Sequence, residues 1–123
     1  MFRSIQKVLI IDDEADIAQM VSDRLTAAGY AVLTADTGAS GLEKAFKEKP
    51  NLILLDITMP NMDGWSVLRM LRENDQTKKV PVIMLTAQGE TSSHFKAQSL
   101  DATDYFVKPF EGKELLTFVE KYI

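Results

Sequence analysis

Five side chains able to do chemistry follow runs of apolar, β-prone residues. Val8-Leu9-Ile10-Ile11 ends on Asp12-Asp13, Leu52-Ile53-Leu54-Leu55 on Asp56, Val82-Ile83-Met84-Leu85 on Thr86, and Tyr105-Phe106-Val107 on Lys108. Carboxylates gathered in one pocket repel and raise one another's pKa unless a cation offsets them, and a hard oxygen site that keeps several waters suits Mg2+. A carboxylate held there and aimed outward can attack a phosphoryl group and form an acyl phosphate. The charge on the transferring group then needs positioned cations and donors, which the metal, the Lys108 ammonium and the Thr86 hydroxyl would supply. Asp56 is assigned the attack, because it ends the most apolar run and should be the most centrally fixed.

This chemistry requires that all the run ends meet at one edge. Continuous apolar runs suit strands covered on both faces, and parallel strands of an open α/β sheet deliver their C-terminal residues to the edge where ligands bind. The runs alternate with segments of helical spacing, five of each, which is the signature of βαβ units. If strand one lies beside strand three, Asp12, Asp13 and Asp56 share a pocket. In the first helix, Ile17, Met20, Val21, Leu25 and Ala28 repeat at helical spacing and Gly29 closes it. Residues 30–35 form strand two, and Ser40 and Glu43 have capping-box spacing ahead of a helix that Pro50 ends. Strand three is Leu52–Asp56, followed by the turn-rich Thr58-Met59-Pro60-Asn61-Met62-Asp63-Gly64 and a helix carrying Val67, Leu68 and Leu71. Residues 80–86 form strand four. The segment 90–100 has few apolar positions, so it is expected to be a weakly buried, mobile helix. The last helix places Leu115, Phe118, Val119 and Tyr122 on one face.

Composition narrows the function classes. The 123 residues fit one domain, spanning 1–123, that folds without staples. Cysteine is absent and no apolar run approaches the roughly 20 residues of a membrane span, so a cytoplasmic protein is the default expectation. The net charge of −4 without a basic stripe argues against direct nucleic-acid binding by this chain.

Taken in order, these motifs resemble a response regulator receiver domain of two-component systems, of the CheY-like kind, over essentially the whole chain. The resemblance rests on Asp12-Asp13, on Asp56 with Met59-Pro60 and Met62-Asp63-Gly64, on Thr86-Ala87, and on Tyr105-Phe106-Val107-Lys108-Pro109-Phe110. It implies an α/β fold, a flavodoxin-like (βα)5 doubly wound sheet of five parallel strands in the order 2-1-3-4-5. It implies that Asp56 accepts a phosphoryl group from a histidine kinase or phosphotransfer protein. Asp12, Asp13, Asp56 and the Thr58 backbone carbonyl would hold Mg2+, or Mn2+ in its place, and Lys108 would contact the phosphate. Thr86 and Tyr105 would form a switch pair that alters the face of the fourth helix, fifth strand and fifth helix. That face would meet a downstream protein target or output domain, or a second copy in a phosphorylation-dependent dimer. Lys108-Pro109 would be a cis peptide. Thr58 and Gln88 match variable positions that set the phosphate's lifetime. Asp101 stands where the family commonly has Gly.

Each residue also has a plainer reading. Asp12-Asp13 could simply cap the first helix, Thr86 could be an ordinary strand-end residue, and Lys108 a solvated charge. His94 reads as an exposed polar-helix residue, and Trp65 and the methionines as packing. Two rival functions differ in kind. A haloacid-dehalogenase-type Mg2+ phosphatase uses similar groups, but Asp56-Ile57-Thr58 lacks its second acid. A pseudo-receiver would bind its partner without phosphorylation. The leading expectation is a signalling module that catalyses only its own phosphorylation and dephosphorylation.

Overall fold

Alternate residues of the central apolar runs face opposite sides of one sheet. In a computed structural model describing residues 4–87 and 101–123, the strands are β1 (Lys7–Ile11), β2 (Ala31–Ala35), β3 (Leu52–Asp56), β4 (Val82–Ala87) and β5 (Asp104–Lys108). All pair in parallel, in the order β2-β1-β3-β4-β5. Leu9, Ile11, Ile53, Leu55, Val82 and Met84 pack on one side, Val8, Ile10, Leu52, Leu54, Ile83 and Leu85 on the other. A period of two with both phases apolar demands helices on both faces.

The described helices supply them. α2 (Gly38–Glu48) and α3 (Gly64–Glu73) cover the first side with Leu42, Ala45, Val67, Leu68 and Leu71. α1 (Ala15–Ala27) and α4 (Gly112–Val119) cover the second with Val21, Leu25, Leu115 and Val119. Among the described residues, no helix is long and apolar enough to cross a membrane.

Several boundaries differ from the expected ones for local reasons. The cap of α2 is Thr37, whose hydroxyl accepts from the Ser40 N–H at 3.1 Å, so Ser40 lies inside the first turn rather than ahead of it. The extended backbone of Thr37 aims its side chain back at that N–H, as an N-cap requires. α2 ends on Lys49 in the left-handed conformation, just ahead of Pro50. β2 begins after Tyr30, whose N–H is taken by the Leu25 carbonyl at the end of α1. β4 begins after Pro81, which has no N–H for the ladder. Gly29 does adopt positive φ, +99°, as its position after α1 implied.

One half-buried cation ties the lower ends of these elements together. From α3, the Arg72 guanidinium makes five hydrogen bonds, to the carbonyls of Thr77, Lys78, Val80 and Asp101 and to the Thr103 hydroxyl. Thr103 Oγ1 also accepts from the Val82 N–H, so the entries to β4 and β5 are fixed to each other and to α3. Asp101 has φ +63°, the left-handed geometry that its family-typical Gly would adopt freely. Lys108-Pro109 is cis. The expectations for the helix at 90–100, for Gln88 and for His94 lie outside the described residues.

Candidate functional site

Strand register brings the separated acids together. Ile11 pairs with Leu55, so the next residues, Asp12 and Asp56, leave adjacent strand ends side by side. Asp56 pairs with Leu85 and Ala87 with Lys108, which places Thr86 and Lys108 at the same edge. Asp12, Asp56 and Thr86 are buried, whereas Asp13 is exposed.

One carboxylate oxygen from each of Asp12, Asp13 and Asp56 lies within 4.8 Å of the other two. Ligands on opposite sides of Mg2+ lie about 4 Å apart at metal–oxygen distances of about 2.0–2.1 Å, so this spacing fits such an ion with small side-chain adjustments. The donors are all hard oxygens.

Lys108 enters the cluster from β5. Its Nζ donates to Asp12 Oδ2 at 3.0 Å and to Glu14 Oε1 at 2.9 Å, and stands 3.5 Å from Asp56 Oδ2. The other oxygens are oriented by the backbone: Asp12 Oδ1 accepts from the Glu14 N–H at 2.9 Å, and Asp56 Oδ1 from the Thr58 N–H at 3.2 Å. Burial and the neighbouring Asp12 charge push the Asp56 pKa up to about 7, against the opposing pull of Lys108 and the Thr58 N–H. Burial disfavours the Lys108 ammonium, but its bonds to Glu14 and Asp12 and the charges of Asp12 and Asp56 outweigh that and leave its pKa raised. The lysine is therefore a held positive charge beside a carboxyl whose pKa is raised.

The remaining expected residues take different places. The Thr86 hydroxyl donates to the Ala87 carbonyl at 3.0 Å. Tyr105 is half-buried three residues before Lys108 on β5, packed on the side of the sheet that α2 and α3 cover. Thr58 lies in the loop after β3 and reaches Asp56 through its N–H. Asp12 and Asp13 do not cap α1; Glu14 holds that position, and its side chain bonds Lys108 instead of the helix.

Two site residues escaped sequence reasoning. Glu14 gave a faint signal, a long acid at a helix start where short polar residues are preferred. Gly64 reads as turn chemistry and as part of the Met62-Asp63-Gly64 motif, neither of which reveals its contact with β3. A Cβ there would lie 2.3 Å from the Asp56 carbonyl oxygen, and its N–H donates to the Ile57 carbonyl at 2.8 Å, so glycine lets α3 begin directly against the end of β3.

Known proteins resemble the chain in sequence and fold. The family model described as "Response regulator receiver domain" matches residues 8–120. "Probable transcriptional regulator ycf27" of Pyropia yezoensis is 44% identical over 110 residues, covering 89% of this chain and 44% of the relative. The chain thus spans less than half the length of that regulator. Among solved structures, chemotaxis protein CheY4 of Vibrio cholerae superposes with a TM-score of 0.93 at 36% identity, over 98% of this chain and all of that one. The receiver domain of sensor histidine kinase PA1611 from Pseudomonas aeruginosa, described with a magnesium ion in its active site cleft, superposes with a TM-score of 0.87. Its identity is 26%, over 97% of this chain and 98% of that one.

Proposed function

The chain belongs to the response regulator receiver domain family, and on that premise we propose that Asp56 takes a phosphoryl group from a phosphohistidine on a histidine kinase or phosphotransfer protein. The observation that carries this reading is the joining, at one sheet edge, of three carboxylates within 4.8 Å and a lysine ammonium 3.5 Å from Asp56 Oδ2.

In the transfer, an Asp56 carboxylate oxygen forms a bond to phosphorus as the bond from phosphorus to the imidazole nitrogen breaks, and that nitrogen keeps the electron pair. The product is an acyl phosphate on Asp56 and a free histidine. Asp12, Asp13, Asp56 and the Thr58 carbonyl would hold Mg2+, or Mn2+ on the same donors, and the bound ion would offset the charge of the carboxylates and the phosphoryl group. Lys108 contributes its own positive charge to the incoming oxygens. The Thr86 hydroxyl, which donates to the neighbouring Ala87 carbonyl among the described residues, would rotate onto a phosphoryl oxygen.

Tyr105 and Thr86 act as the switch pair. Their strands, β4 and β5, are neighbours, with Thr86 paired to Val107, so a shift at the hydroxyl passes directly to the aromatic's strand. The output is a protein contact, with a downstream target, an attached output domain or a second copy of the chain. The protein works in the cytoplasm and has no substrate beyond its own phosphoryl group.

The test is incubation with acetyl phosphate and Mg2+ followed by intact mass. Wild type gains one phosphoryl group, and Asp56→Asn and metal-free protein gain none. An equal gain in Asp56→Asn would refute the assignment.

A further inference from the structure

We infer that Glu14 is a positioning residue that parks the Lys108 ammonium on the α1 side of the site until a phosphoryl group arrives. This rests on the reading of Asp56 as acceptor and extends it to a residue outside the acid cluster.

The geometry is a closed ring. The Glu14 N–H donates to Asp12 Oδ1, Lys108 Nζ donates to Asp12 Oδ2, and the same Nζ donates to Glu14 Oε1 at 2.9 Å. Glu14 occupies the N-cap of α1 yet makes no capping bond, so its carboxylate is committed to the lysine. An ammonium has three donors. Two are spent on Asp12 and Glu14, and the third faces Asp56 Oδ2 at 3.5 Å, beyond normal hydrogen-bond length.

A phosphoryl group on Asp56 would present new oxygens on that third side. To bond them well the ammonium must move toward Asp56 and release a partner. Asp12 is buried, so releasing it would strip a hydrogen-bond donor from a desolvated carboxylate that water cannot reach, even where a bound metal shares its charge. The Glu14 side chain is 56% exposed and hydrates on release at little cost. Glu14 is therefore the partner that gives way. Each phosphorylation event then has to break one half-exposed ion pair, and removing that pair should speed the reaction.

The experiment compares wild type, Glu14→Gln and Glu14→Asp in two measurements: the rate of phosphorylation by acetyl phosphate at saturating Mg2+, and the 15N side-chain resonance of the Lys108 ammonium. Glu14→Asp keeps the charge but is one methylene too short for the contact, so it separates contact from general electrostatics. The expected result is a rate increase of roughly two- to fivefold in both variants, the range that an exposed ion pair can supply. The Lys108 resonance should differ from wild type in the unphosphorylated variants and coincide with it after phosphorylation, when the contact has been released in every protein. Unchanged or slower phosphorylation in Glu14→Gln, or a resonance difference that persists equally in the phosphorylated form, would overturn the inference. Those outcomes leave the acceptor reading intact, because they require wild type to be phosphorylated. A wild type that takes up no phosphoryl group would refute both.

Discussion

Arg72 Nε donates to the Asp101 carbonyl across 2.8 Å, fastening the end of α3 to the residue from which the chain turns into β5. The same guanidinium reaches the Val80 carbonyl at 2.7 Å, so a single side chain sets the approach to both strands that carry Thr86 and Lys108. The site edge is thus held from the opposite end of the sheet.

Removing that guanidinium leaves several carbonyls short of a donor. Arg72→Met is expected to lower stability by about 2–4 kcal/mol, since each bond to a charged donor is worth about 1.5–3 kcal/mol but exposed carbonyls recover water. Arg72→Lys, which cannot bridge the same acceptors, should recover less than half of the loss. Urea denaturation of the three proteins measures this, and equal midpoints would show that the network is dispensable.

Gly64 and Gly29 give opposite kinds of glycine substitution. A Cβ at Gly64 meets the Asp56 carbonyl oxygen at 2.3 Å, whereas at Gly29 nothing lies within 4 Å but φ is +99°. Gly64→Ala should displace the end of β3, costing about 1–3 kcal/mol from overpacking and slowing phosphorylation at least tenfold. Gly29→Ala should cost about 1–2 kcal/mol from left-handed strain and leave the phosphorylation rate unchanged. Phosphorylation kinetics beside thermal unfolding separate the two.

The raised Asp56 pKa makes metal-free stability fall with rising pH. A carboxyl that titrates at about 7 in the folded chain and near 3.8 unfolded binds more protons when folded between those values. Its destabilisation is therefore absent below about pH 4, grows as pH rises, and is complete above about pH 7. Asp56→Asn should raise the melting temperature of metal-free protein at pH 8, by an amount equivalent to about 1–3 kcal/mol after allowing for the lost lysine contact, and the gain should shrink toward pH 4. A constant gain at all pH values would contradict the assigned shift.

Metal should reverse that penalty. Mg2+ at one hundred times its dissociation constant stabilises a folded protein by about 2.7 kcal/mol. Asp13 is exposed, so Asp13→Ala should leave the metal-free melting temperature within about 3 °C of wild type, as surface changes usually do, while reducing or abolishing the Mg2+-induced rise. A full rise in Asp13→Ala would remove that residue from the metal site.

The sheet was legible because Val8 to Ile11 and Leu52 to Leu55 are apolar in both phases, which leaves no alternative to a strand buried on two sides. Asp12, Asp56, Thr86 and Lys108 followed from that, since each is the first charged or hydroxyl-bearing residue after an apolar run of its strand. Asp13 came with its neighbour, although its exposure is decided by the turn into α1. What stayed hidden depends on long side chains and close approaches. No motif in the sequence singles out Glu14 or Arg72, and only the fold shows that one reaches Lys108 and the other crosses to Asp101. Thr37 and Ser40 are both plausible caps, and the choice is made by the extended backbone at Thr37. Gly64 looked like a turn residue because the carbonyl it makes room for belongs to a different element.

On the proposed reading, the side chain at position 56 becomes an acyl phosphate. After treatment with acetyl phosphate and Mg2+, borohydride reduction converts such a group to homoserine, and peptide mass spectrometry locates it. Homoserine is expected at position 56 alone, dependent on Mg2+ and on acetyl phosphate. Reduction at Asp12 or Asp13 with none at Asp56, or a phosphorylated protein that borohydride leaves unreduced, would contradict it.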